Sequence, residues 1–235
     1  MSFLSTSACI QFLLILLLSL SIVLELHGYF IKTANFSERQ SLTIGFSNWV
    51  IYLARILNMG FAFLLAFAFE YGLTLQLSVI FASAFLLGTI LSAWYVSSRR
   101  AESLLNLALG FILYMPFREL KGEGFWRSTK ATFSYRWVFM VISAGMAYFA
   151  ILMPFFVARM LPEFRMTSVF LGQALNFGST LILLGMIEPR MMADLDRVRG
   201  SARHPEGLNG FIHGRVWLTA FMALICFTWL IFFSE

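Results

Sequence analysis

The chain has 235 residues, 60% hydrophobic and 12% charged, with a mean hydropathy of +0.81 and a net charge of +5. Such a composition excludes a soluble domain. Its continuous apolar runs approach or exceed the ~20 residues that cross a ~30 Å hydrocarbon core, and they lack the alternation of a β-barrel. The basic balance points to anionic lipid headgroups and not to nucleic acid, because the basic residues collect in loops between apolar runs.

The first predicted span covers 9–30. Nothing basic precedes Lys32, so this run lacks the charged start of a secretory signal and reads as a retained span. Glu25 and His27 lie near its inner end. A histidine there is able to titrate near neutral pH, although an ordinary interfacial histidine is the simpler reading. Cys9 and Cys226 both lie in apolar segments without metal-ligand spacing and read as small core residues, not as a disulfide.

The second span, 43–69, carries Asn48, Arg55 and Asn58. At about 100° per residue these three fall on one side of a helix. An arginine at that depth costs at least ~2.5–3.5 kcal/mol on insertion scales, and it keeps its charge. It therefore needs a carboxylate, water or an anionic ligand. One reading is a structural ion pair with Glu70 or Glu188. The other is a fixed cation for an anionic headgroup, which guanidinium suits because it bonds two phosphate oxygens at once.

The third span covers 74–97. The segment 103–115 after it is too short to cross and reads as an interfacial or re-entrant helix that Pro116 ends. A basic loop over 116–135 follows. The fourth span, 136–160, leads into a mouth containing Pro154, Arg159, Pro162, Glu163 and Arg165, where two arginines flank a glutamate. A snorkelling Arg159 is the plain alternative there. The fifth span, 167–187, places Asn176 beside Gly178, Ser179 and Thr180, a composition that serves helix packing as well as polar lining. Beyond it come Glu188 and Pro189, then Arg190, Asp194 and Arg197 at helical pair spacing. The sixth span covers 212–234.

Fourteen basic residues fall in the loops of one side, Arg215 among them, and only Arg159 and Arg165 on the other. The bias places both termini outside, periplasmic in a bacterial cytoplasmic membrane. Spans 2 and 5 then run in opposite directions. Aligned without gaps, residues 51–70 match 169–188 at Leu53, Leu57, Asn58, Gly60, Leu65 and Glu70 against Leu171, Leu175, Asn176, Gly178, Leu183 and Glu188. The expected fold is all-α: one polytopic membrane domain of about six spans, with an inverted 3+3 repeat. Its halves are 1–115 and 136–235. This is a common transporter plan. Glu70 and Glu188 would mark opposite gates, with Glu163 at the outer mouth. No phosphate-binding glycine loop ending in Lys-Ser/Thr appears, so no nucleotide cofactor is implied.

The motifs, in order, resemble the alternate lipid II flippase family (Amj-type). Its Ser-Arg-x-x-Asn pattern stands here as Ala54-Arg55-Ile56-Leu57-Asn58, and its Pro-Glu-x-Arg as Pro162-Glu163-Phe164-Arg165. Its Asn-Gly-x-Ala-Thr pattern stands as Asn176-Phe177-Gly178-Ser179-Thr180. Its Asp-Pro, acidic residue and glycine stand as Glu188-Pro189, Asp194 and Gly200. Alanine replaces serine, glutamate replaces aspartate, and the span 5 glycine is displaced by one.

The resemblance implies a flippase that moves undecaprenyl-diphosphate-linked peptidoglycan precursor, lipid II, from the inner to the outer leaflet. Arg55, Asn48, Asn58, Asn176, Arg159 and Arg165 would bind it. A homodimer is compatible with so small a transporter. A transporter of another polyprenyl-linked or small-molecule cargo, a membrane enzyme acting on polyprenyl phosphates, and a scaffold remain as alternatives.

Overall fold

A computed structural model describes residues 3–31, 40–71, 73, 75–113, 135–190, 192–193 and 206–233. The basic residues Lys32, Arg39, Arg118, Lys121, Arg127 and Lys130, and the pairs formed by Asp194 and Arg197, lie outside them.

The protein is an all-α multi-pass membrane protein. Helices α1 (Phe3–Ile31), α2 (Gln40–Glu70), α3 (Leu77–Ser97) and α4 (Arg99–Leu113) come first. Then come α5 (Tyr135–Met160), α6 (Arg165–Ile182) and α7 (Glu206–Phe233). Six stretches are long and apolar enough to cross a membrane: Thr6–Ile31, Ile44–Glu70, Leu77–Ser97, Val141–Ala158, Phe170–Arg190 and Ile212–Phe232. They match the six expected spans. The short segment is helical from Arg99, earlier than expected, and only Ser98 separates it from α3.

The chain divides into two compact units, one of residues 1–129 with 219–235 and one of residues 130–218. In the first, α1 packs against both α2 and α3. Contacts between Gly28 and Ser47 and between Ser21 and Asn58 make α1 and α2 antiparallel. Contacts of Ser19 with Ala84 and of His27 with Tyr95 make α1 and α3 parallel. This up-down-up order is what three consecutive spans require.

The interior is apolar and aromatic. Leu14, Leu18, Leu26, Phe61, Phe81 and Phe85 are fully buried, and the rings of Phe61 and Phe81 meet edge-on at 5.5 Å. Gly28 lets α1 and α2 approach closely. A Cβ there would stand 3.2 Å from the Ser47 carbonyl and closer still to the Ile51 side chain, while the Ser47 hydroxyl donates to the Gly28 carbonyl at 2.7 Å. Helix α4 docks Leu105 and Leu109 onto Leu24, Ile31, Phe46, Val50 and Ala54.

The second unit is closed by small residues. A Cβ at Gly172 would stand 2.8 Å from the backbone carbonyl of Ala150 and 2.7 Å from the Pro154 ring. About two turns further along, Ser143 donates to the Ser179 carbonyl at 3.0 Å and Ser179 returns a bond to the Ser143 carbonyl at 2.8 Å. Such pairs hold membrane helices together where lipid provides no hydrophobic drive.

Helix α6 runs on through a π turn, Leu183–Ile187, in which the Glu188 amide donates to the Leu183 carbonyl. Pro189 supplies a cause. It has no N–H to offer the Gly185 carbonyl, and in an α-helix its ring would press against that carbonyl. A widened turn of this kind amounts to one inserted residue.

Candidate functional site

Arg55 stands eleven residues into the span Ile44–Glu70, about 16 Å from its start and about 22 Å from its end at 1.5 Å per residue. That is close to the middle of the span, yet its side chain is exposed. Among the described residues it makes no ion pair and no hydrogen bond, so no carboxylate neutralises it within the described structure. Glu70, exposed at the far end of the same helix, is too distant.

The structure divides the three polar residues of α2. Asn48 and Arg55 lie about 20° apart around the helix and are both exposed. Asn58 turns about 60° away from Arg55, is half-buried, and accepts a hydrogen bond from Ser21 of α1 at 2.6 Å. Its oxygen is engaged in holding α1 and α2 together. The stripe above Arg55 continues as Met59, Phe63, Phe67 and Tyr71, all exposed, with the Phe67 and Tyr71 rings 4.4 Å apart.

On α6, Asn176 is exposed, and the Thr180 hydroxyl donates back to the Asn176 carbonyl at 2.9 Å. Gln173, one turn earlier, is exposed as well. Sequence reasoning passed over Gln173, although the signal was there. In the gapless match of 51–70 with 169–188, Gln173 takes the position of Arg55.

Burial follows that same match at most positions, although half-buried Asn58 stands against exposed Asn176 and exposed Gly60 against half-buried Gly178. Ala54 and Gly172 are buried, and so are Phe61 and Ser179. Tyr52 and Phe170, Arg55 and Gln173, Met59 and Phe177, and Phe63 and Leu181 are exposed. Past the π turn the register slips by one, so that buried Ala68 corresponds to Ile187 instead of Met186.

Of the other expected site residues, Arg159 lies in the last turn of α5 and Arg165 begins α6; their side chains are outside the described ones. Glu163 is exposed in the single 3-10 turn Pro162–Phe164 that joins those helices. Glu188 is half-buried just after the π turn. Arg215, assigned from sequence to the loop before the last span, stands instead inside the span Ile212–Phe232 and is buried.

His27 is packed between helices. It is fully buried, its Nδ1 lies 2.6 Å from the Tyr95 hydroxyl, and Asn106 of α4 reaches the same ring. The histidine thus ties α1, α3 and α4 together at one end of the first unit. Cys226 is buried as expected of a core residue, whereas Cys9 is exposed. Among the described residues no three His, Cys, Asp or Glu side chains gather as a metal site needs.

Comparison with protein-family models, with curated proteins and with solved structures gives no match, so the resemblance to flippases rests on the ordered motifs alone.

Proposed function

We propose that this protein carries the anionic headgroup of a polyprenyl-diphosphate lipid across the membrane, and that its cargo is the lipid-linked peptidoglycan precursor moved from the inner to the outer leaflet. The observation that carries this reading is Arg55: a permanent cation near mid-span, exposed, with no acidic partner among the described residues. Hydrocarbon does not tolerate such a group, and a diphosphate is the ligand its planar fork fits. Asn48, a turn or two toward the inner end on the same face, adds a neutral hydrogen-bonding group. The motif order supports the choice of cargo.

In this reading Arg55 lowers the barrier for the charged head at the depth where that barrier is highest, while the polyprenyl tail stays in lipid. Movement of the protein would alternate access to the two faces. Asn58 contributes by holding α1 to α2 rather than by meeting the cargo.

The test is lipid II exposure on the outer leaflet of cells depleted of their other flippase, probed with an external enzyme that cleaves only outward-facing precursor. Cleavage is expected with the protein and lost with Arg55→Ala at equal membrane expression. Full cleavage with Arg55→Ala removes Arg55 from the mechanism, and no cleavage with the unaltered protein removes this cargo.

A further inference from the structure

We propose that Gln173 and Asn176 of α6 form a second binding subsite for the anionic headgroup. The inference rests on the headgroup reading of Arg55 and extends it to a residue that no motif marks. Three observations converge on it.

The first is register. Gln173 occupies the position of Arg55 in the match of 51–70 with 169–188, and most exposed and buried positions coincide around it, with exposed Asn176 against half-buried Asn58 an exception. The second is that both amides are uncovered. Gln173 and Asn176 are exposed inside the span Phe170–Arg190, and their side chains have no hydrogen-bond partner among the described residues. Amide groups facing hydrocarbon are costly, so such a pair calls for water or a polar ligand.

The third is depth. Asn48 lies about 13 Å and Arg55 about 3 Å before the centre of their span, by helical rise. Gln173 lies about 10 Å and Asn176 about 6 Å before the centre of theirs. Within its own span each helix therefore holds its exposed polar groups in the N-terminal half, at depths where hydrocarbon would otherwise surround them.

The chemistry follows from the side chains. Arg55 grips phosphate with charge, whereas amides donate N–H bonds to phosphate oxygens or to neutral hydroxyls without adding a second deep electrostatic well.

The experiment uses the full chain reconstituted in liposomes, with a fluorescent undecaprenyl-diphosphate lipid as the probe. Replacing Gln173 by residues of different charge reads the contact directly. Translocation is expected to fall about tenfold in Gln173→Leu and further in Gln173→Glu, whose charge repels phosphate, and to be retained in Gln173→Arg. Equal rates for Gln173→Glu and Gln173→Arg would overturn the subsite.

A second measurement covers variants that fold poorly. Single cysteines at 173, 176 and 171, with Cys9 and Cys226 replaced by serine, are treated with a charged, membrane-impermeant thiol reagent. Labelling at 173 and 176 but not at 171 supports a wetted polar stripe, and no labelling at 173 and 176 overturns it. The outcomes separate from those of the parent reading. If Arg55→Gln leaves translocation intact, the headgroup reading itself fails. If Arg55→Gln abolishes it while Gln173→Glu does not slow it, only the second subsite fails.

Discussion

The two compact units solve the same problem with different materials. In the first, α1 and α3 bury 39% and 44% of their most apolar windows, and bulky rings such as Phe61, Phe81 and Phe85 fill the space between helices. In the second, α6 buries only 17% of its window and is held to α5 by Gly172 under Pro154 and by the Ser143–Ser179 pair. The first unit adds side-chain volume to the close approach of α1 and α2 at Gly28, and the second relies on close approach at Gly172 and Ser179. Helices seated through small residues leave most of their circumference free, which is where Gln173 and Asn176 stand. In the first unit the free surface belongs to α2, and there the polar residues divide, Asn58 inward and Arg55 outward.

That contrast ranks the expected effects of substitution. The largest falls on Arg55, because no packing neighbour compensates for it: Arg55→Ala should abolish transport, and Arg55→Lys should restore only part, since a point charge replaces a bidentate fork. Next comes Gly172→Leu. The backbone of Ala150 cannot move aside, so the variant should lose about 1–3 kcal/mol and show a lower thermal midpoint in detergent. An unchanged midpoint would mean that α5 and α6 are not held as described.

Tyr95→Phe should cost about 1–2 kcal/mol, as interhelical hydrogen bonds do in model membrane helices, and it should loosen α4, seen as faster proteolysis near Arg99–Leu113. The smallest loss belongs to Asn58→Ala, about 0.6 kcal/mol from the bond to Ser21. Its transport should stay within a few-fold of wild type. A loss as deep as that of Arg55→Ala would place Asn58 on the cargo path after all.

Pro189→Ala sharpens the comparison in another way. Without the proline the π turn should close into α-helix, turning Glu188 by about 100° relative to Asn176. Distances between spin labels placed on either side of Leu183–Ile187 would report it, and unaltered distances would mean that Pro189 is not the cause of the turn.

The sequence carried the six spans because a run of about 20 apolar residues has few other uses. Arg55 was legible for the same reason in reverse, as a charge near the middle of such a run. The match of 51–70 with 169–188 was visible through identical letters, but Gln173 was missed because a glutamine aligned with an arginine counts as a difference. The shared property is exposure, which only the structure adds.

Helical spacing alone grouped Asn58 with Arg55. Sixty degrees around a helix was enough to bring Ser21 of a neighbouring helix into contact with one and not the other, and no pattern within α2 announces that neighbour. The burial of His27 was not legible because its partners, Tyr95 and Asn106, lie on other helices far along the chain. Arg215 shows that a residue at the edge of an apolar run is assigned to loop or span only once the helix start, Glu206, is known.

The central claim is that Arg55 meets a diphosphate. The direct measurement is the affinity of the purified full chain for undecaprenyl diphosphate, with uncharged undecaprenol as the comparison, for the unaltered protein and for Arg55→Gln. The account predicts at least tenfold tighter binding of the diphosphate than of the alcohol, a difference of about 1.4 kcal/mol, and its disappearance in Arg55→Gln. Equal affinity of the two lipids, or an undiminished preference for the diphosphate in Arg55→Gln, would contradict it.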